Sequence, residues 1–223
     1  MSLKLYMLRH GETVFSINRG YCGALDVELT ESGQAMAQAF ADEYKSLDWQ
    51  AIYCSPMKRA IATATPLAKA TGLTLEIRNG IKECNYGKWE GKTKEEVNDE
   101  FHSNYVDWMT EPAWNAPEKG ETAVQVRNRA MNVIAEIEEN HRDGNVMLVA
   151  HRTTLRIVLC SLMGIDLGRY RDRLDYPAAS LSVVRFGKYG PMLERMGDRS
   201  FMTKELRERE GHMADEIRQR ESQ

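Results

Sequence analysis

The run Leu3-Lys4-Leu5-Tyr6-Met7-Leu8-Arg9-His10-Gly11-Glu12-Thr13 decides the fold. Leu3, Leu5 and Met7 recur at the two-residue period of a strand, and the apolar stretch then passes into charged and proton-carrying residues. Outward from it, strand and helix signals alternate. A helix is expected from Thr30, with Met36, Phe40, Tyr44 and Leu47 along one face, followed by a short strand at Ala51 to Cys54. Ser55-Pro56 reads as an N-cap with proline in the first turn of a helix that reaches about Ala70, kinked by Pro66. Thr74 to Ile77 reads as another strand. A capping box at Thr122 and Gln125 opens a helix carrying Val126, Ala130, Val133, Ile134 and Ile137. Val146 to Val149 is a buried strand, Thr153 to Met163 a helix and Leu181 to Phe186 a strand. Such alternation implies βαβ units, hence a three-layer α/β/α sandwich around a mostly parallel sheet.

Length and charge bound the rest. The chain has 223 residues, with 30 basic and 33 acidic side chains and a formal charge of -3. That near-balance argues against a nucleic-acid partner, because polyanion binders carry a basic surplus. No apolar run approaches the ~20 residues of a membrane span, and Met1 to Leu8 lacks a signal-peptide pattern, so no membrane partner and a cytoplasmic location are expected. Cys22, Cys54, Cys84 and Cys160 are far apart and read as reduced thiols. The expected organisation is one domain over residues 1–197, with 80–121 a loosely patterned lid or insert, followed by a charged helical tail over 198–223.

Ligands of an open parallel sheet bind at the carboxyl ends of its strands. Three strands end there in suggestive residues: Arg9-His10-Gly11, Ser55-Pro56-Met57-Lys58-Arg59 and Ala150-His151-Arg152. One histidine after a strand is most often structural, and one arginine in a first helical turn is usually a surface ion-pair partner. Arg59 would also sit at the positive end of a helix dipole, a placement that a bound phosphate relieves. Histidines after two separate strands, each beside an arginine, point instead to a site for a small dianion.

The run Leu8-Arg9-His10-Gly11-Glu12-Thr13 resembles the Arg-His-Gly signature of the histidine phosphatase superfamily, which includes the cofactor-dependent phosphoglycerate mutases and many small-molecule phosphatases. Supporting blocks are Asp26-Val27-Glu28-Leu29-Thr30 with Gly33, Ser55 to Ala60, Glu83 with Gly87-Lys88-Trp89-Glu90-Gly91, and Val149-Ala150-His151, in the family's order over residues 3 to about 186. The resemblance implies a phosphoglycerate mutase-like fold and a reaction through phosphohistidine. His10 would be the nucleophile, Arg9, Arg59 and His151 would hold the phosphoryl oxygens, and Glu83 would be general acid and then base. It also implies no cofactor and no metal, and the sequence offers no carboxylate cluster dedicated to one.

Ser16, Gly23 and Arg152 join Arg9 and Arg59 in the expected phosphate and substrate set. Ser16 follows Phe15 where many members carry an asparagine, Gly20 stands where an arginine is common with Arg19 beside it, and Arg152 stands where glycine is usual. The Gly-x-Trp-Glu-Gly pattern after Glu83, with no arginine pair between, favours a phosphatase. The alternatives are a phosphoglycerate mutase and a non-catalytic phospholigand-binding relative. Arg152, Arg156 and Lys88 suggest a second anionic group on the substrate, as in phosphoserine or a phosphorylated sugar acid, while Trp108 and Trp114 suggest a bulkier ester. The expected partner is a small phosphate ester, and the family's habit adds a homodimer.

Overall fold

The computed structural model describes residues 2–209. In chain order the strands are β1 (Leu3–Arg9), β2 (Trp49–Cys54), β3 (Leu75–Ile77), β4 (Gly144–Ala150), β5 (Leu181–Gly187) and β6 (Gly190–Asp198). The helices are α1 (Val14–Asn18), α2 (Glu31–Tyr44), α3 (Lys58–Thr71), α4 (Lys94–Glu100), α5 (His102–Thr110), α6 (Ala123–Asn140), α7 (Arg152–Met163), α8 (Tyr170–Arg173) and α9 (Lys204–Arg207).

The strands form one sheet in the order β3-β2-β4-β1-β5-β6. β1, β2, β3 and β4 pair in parallel, whereas β5 and β6 run antiparallel at one edge. Because both faces of the sheet are covered, the central strands are apolar on both. Leu3, Leu5, Met7, Val146 and Leu148 pack with α6 and α7, while Leu8, Ile52, Met147 and Val149 pack with Phe40, Ala60, Ala64 and Leu67 of α2 and α3. The result is the expected α/β/α layering. Register then fixes the site: Leu8 stands opposite Val149 and Arg9 opposite Ala150, so His10 and His151 leave the sheet side by side.

Several local expectations change. Ser55 does not cap α3: the N-cap is Met57, without a side-chain cap bond. The Ser55 hydroxyl lies instead against His151. α3 continues through Pro66. The 80–121 stretch contains α4, opened by a Thr93–Glu96 capping box, and α5. These helices are too short for their periodicity to stand out, and aromatic packing on the core stabilises them. Trp89, Trp108 and Val97 belong to the same buried cluster as the sheet face under α6.

The 197/198 boundary cuts the end of β6, a strand that was not anticipated because its face is mostly solvent-exposed. The first part of the expected tail is not solvated: Arg199 and Met202 are buried, and Met202 packs with Met36, Ala178 and Ala179. Among the described residues the helix there is α9, and the rest of the expected helical tail, 210–223, lies outside the described residues. Among the described residues no helix is long and apolar enough to cross a membrane.

Candidate active site

β1 delivers Arg9 and His10 to the carboxyl edge of the sheet. The His10 backbone N–H donates to the Ala150 carbonyl at 3.0 Å, continuing the β1–β4 ladder one residue past the strand. The Gly11 N–H donates to Thr63 Oγ1 at 2.9 Å. Gly11 must be glycine here, since a Cβ would lie 2.4 Å from the Gly33 carbonyl oxygen at the start of α2. The Nδ1–H of His10 points at the Gly11 carbonyl, 2.8 Å away, which puts the proton on Nδ1 and leaves the Nε2 lone pair available. Burial, and after it the guanidinium groups of Arg59 and Arg9, hold His10 well below the usual imidazole range, so it is neutral at pH 7.

Arg59, at the start of α3, is buried and fixed on three sides. Its Nε donates to Nδ1 of His151 at 3.2 Å, and its two terminal nitrogens donate to the carbonyls of Leu25 and Gly23 at 2.7 and 2.9 Å. Since His151 Nδ1 accepts, its proton sits on Nε2, which donates to Ser55 Oγ at 2.7 Å. Burial, then Arg59 and His10, keep His151 neutral as well. The two rings lie 5.2 Å apart between centroids. Arg9 is anchored by a 2.8 Å bond from one terminal nitrogen to the Tyr176 carbonyl. A neutral nucleophilic nitrogen thus stands among fixed cations, an arrangement suited to attack on a phosphate dianion.

Glu83 comes from the loop before α4 and takes the place of a side-chain cap on α7, whose N-cap His151 supplies none. Its Oε1 accepts from the Cys84 and Thr154 N–H groups at 2.8 and 3.2 Å, and Oε2 from the Thr153 N–H at 3.2 Å. The Thr153 and Thr154 N–H groups are orphan donors of the α7 start, and the Glu83 carboxyl oxygens satisfy them. Glu83 lines the same cavity of about 970 Å³ as His10, Arg9 and Arg59.

The remaining expected residues divide. Ser16 and Gly23 line the cavity. The Ser16 hydroxyl accepts from the Thr13 N–H at 2.6 Å in the α1 capping box and donates to the Thr13 carbonyl at 2.8 Å, so its one proton is held by that carbonyl rather than offered to an incoming phosphate. Gly23 contributes its carbonyl to Arg59; with φ +51, a side chain there would be strained and would displace the Glu90 carboxylate. Arg152 and Arg156 both line the cavity and both approach Asp175, at 3.8 and 3.7 Å. Burial, then the neighbouring Arg152, pushes Arg156 down to about 9. Lys88 pairs with Glu118 and Trp114 is 72% exposed; neither lines the cavity, whereas Trp108 does.

Sequence reasoning missed Ser55 as the partner of His151 and Thr63 as the support of Gly11. It also missed Glu12, which is buried in the loop that follows His10. The position of Ser55 directly after β2 was the available signal. Among the described residues no group of three or more His, Cys, Asp or Glu is arranged to hold a metal.

Comparison with known proteins gives the family and the fold. The family model of the histidine phosphatase superfamily (branch 1) matches residues 5–199. Phosphoserine phosphatase 1 of Hydrogenobacter thermophilus is 32% identical over 168 residues, which cover 75% of this chain and 80% of that protein. The glucosyl-3-phosphoglycerate phosphatase of Mycobacterium tuberculosis is 29% identical over 175 residues, covering 75% and 78%. A solved structure of a mycobacterial glucosyl-3-phosphoglycerate phosphatase superposes with a TM-score of 0.81 at 25% identity, over 88% of this chain and 99% of that one.

Proposed function

The chain belongs to the histidine phosphatase superfamily and is a phosphatase of that family; from that premise we propose that it hydrolyses a small, carboxylate-bearing phosphate monoester through a phosphohistidine at His10, without a metal ion. The observation that carries the mechanism is the 2.8 Å bond from His10 Nδ1–H to the Gly11 carbonyl, which leaves Nε2 as the free nucleophilic atom. In the first step Nε2 forms a bond to phosphorus as the ester P–O bond breaks, and Glu83 gives its proton to the leaving oxygen. In the second, water attacks phosphorus, the P–N bond breaks back to a neutral imidazole, Glu83 takes the proton, and inorganic phosphate leaves. Arg9 and Arg59 stabilise charge on the phosphoryl oxygens throughout, and His151, pressed against Arg59, supports them.

Arg152 and Arg156 supply the reading of the substrate. Two guanidinium groups line the cavity near the Asp175 carboxylate, and burial, then Arg152, disfavours the cationic form of Arg156, so a substrate carboxylate would meet positive charge there that it can offset. The relatives named for phosphoserine and glucosyl-3-phosphoglycerate support a phosphorylated hydroxy acid, and phosphoserine is the simplest candidate.

Brief mixing with ³²P-labelled phosphoserine should leave acid-labile phosphate on the wild-type chain and none on His10→Ala. Full turnover by His10→Ala would overturn the assignment of the nucleophile. Glu83→Gln should lower kcat by about 10²- to 10⁴-fold. Hydrolysis of a panel of phosphomonoesters in excess chelator tests substrate and metal independence together, and loss of activity in chelator would sink the metal-free reaction.

A further inference from the structure

Glu12 follows the His10-Gly11 pair and is 1% exposed, although no step of the reaction uses it. A buried carboxylate is costly unless it is paired and hydrogen-bonded. Its partners come from two distant places. The Thr30 hydroxyl, which also caps α2, donates to Oε1 at 2.7 Å. Arg209, 197 residues along the chain, donates from Nε to Oε2 at 3.2 Å and from a terminal nitrogen to Oε1 at 3.4 Å.

The segment before Arg209 is anchored step by step. Phe201 meets Phe40 and Tyr44 edge-on, Met202 packs with Met36 and Ala178, Arg199 donates to the Leu206 carbonyl, and Thr203 caps α9. Residues 199–209 therefore form a strap that leaves β6, crosses α2 and ends on the nucleophile loop.

We propose that Arg209 is a positioning residue for the phosphatase reaction: by neutralising Glu12 it holds the Gly11–Glu12 backbone so that the Gly11 carbonyl keeps the His10 proton on Nδ1. The coupling is short. Glu12 is one residue from the carbonyl that accepts from His10, and its own carbonyl accepts the Thr30 N–H at 3.0 Å. The loop has no slack on its other side, because a Cβ at Gly33 would stand 2.2 Å from the Glu12 oxygen. Without Arg209 the Thr30 hydroxyl is the one side-chain donor left to the buried carboxylate among the described residues, and its relief is rotation toward water, which turns the adjoining peptide. The His10 ring then loses its fixed acceptor, shifts, and samples both tautomers, one of which carries the proton on the attacking nitrogen. The proposal rests on His10 as nucleophile.

The test uses R209A, R209K and E12Q in the full chain, assayed with p-nitrophenyl phosphate, and ¹⁵N spectra of labelled histidine in the resting protein. R209A should lower kcat about 10-fold with KM within about two-fold, since displacement of a reacting group acts mainly on the bound complex. R209K should recover most of that loss, and R209A added to E12Q should cost nothing further, because the amide needs no counter-charge. The His10 resonances should move from a single Nδ1–H pattern toward a tautomer mixture in R209A. Wild-type kcat in R209A, or a lowered kcat with the His10 tautomer unchanged, would overturn the proposal; the second result would mean that the strap serves stability alone. Should E12Q not fold, R209A and its His10 spectrum decide by themselves. The tautomer is read without turnover, so its failure is distinct from retained activity in His10→Ala, which would remove the nucleophile reading instead.

Discussion

His10 and His151 are two ordinary imidazoles made unusual by their surroundings. Each is buried beside Arg59, and each is held neutral where a free histidine would take up a proton near pH 6.5. The folded state therefore binds fewer protons than the unfolded chain once the pH drops below that value. Stability should fall as pH falls from 6.5 and level off only when the depressed folded-state values are reached, with each histidine contributing a slope of about 1.4 kcal/mol per pH unit. Urea denaturation at pH 7.0, 6.5, 6.0 and 5.5 measures it. The slope of His10→Ala should be shallower than wild type by that single-site amount, since the carboxylates are common to both proteins; equal slopes would mean that His10 takes up its proton in the folded state. In the proposed reaction the same neutrality keeps Nε2 nucleophilic, so a feature that makes the fold acid-sensitive is one that reaction would need.

At the scale of elements, the candidate site depends on how closely the His10 loop can approach α2. Gly11 and Gly33 meet backbone to backbone, and only glycine at both allows it. Gly33→Ala drives a Cβ into the Glu12 carbonyl, which is backbone and cannot rotate aside. The expected cost is about 1–3 kcal/mol, read as a lowered urea midpoint at unchanged m, with activity reduced because the shift falls on the His10 loop. A midpoint and kcat equal to wild type would show that the approach is loose. Long elements with strong periodicity, such as α2 and α6, were legible because their apolar spacing and caps agree. α4, α5 and β6 were not: two are shorter than three turns, and β6 is an edge strand whose residues mostly face water.

Over the whole molecule, Trp89 and Trp108 bring residues 80–121 into the cluster that lines the sheet under α6, while Trp49 lies in the cluster under α2 and α3. We expect this arrangement to unfold as one unit. Tryptophan fluorescence and far-UV circular dichroism should give coincident urea transitions, and an earlier fluorescence transition would mark residues 80–121 as a separate, lid-like body. The strand-helix alternation, the Arg-His-Gly turn and the second histidine after a buried strand were set by sequence alone, because they follow from periodicity and from where a parallel sheet exposes its carboxyl edge. Tertiary structure decided what those residues touch. The tautomer of His151, the capping of α7 by Glu83, the turn of Lys88 and Trp114 away from the cavity, and the pairing of Glu12 with Arg209 all depend on contacts between residues distant in the chain. Local spacing carries no record of such contacts, since they exist only once the register of the sheet and the packing of its layers bring the groups together.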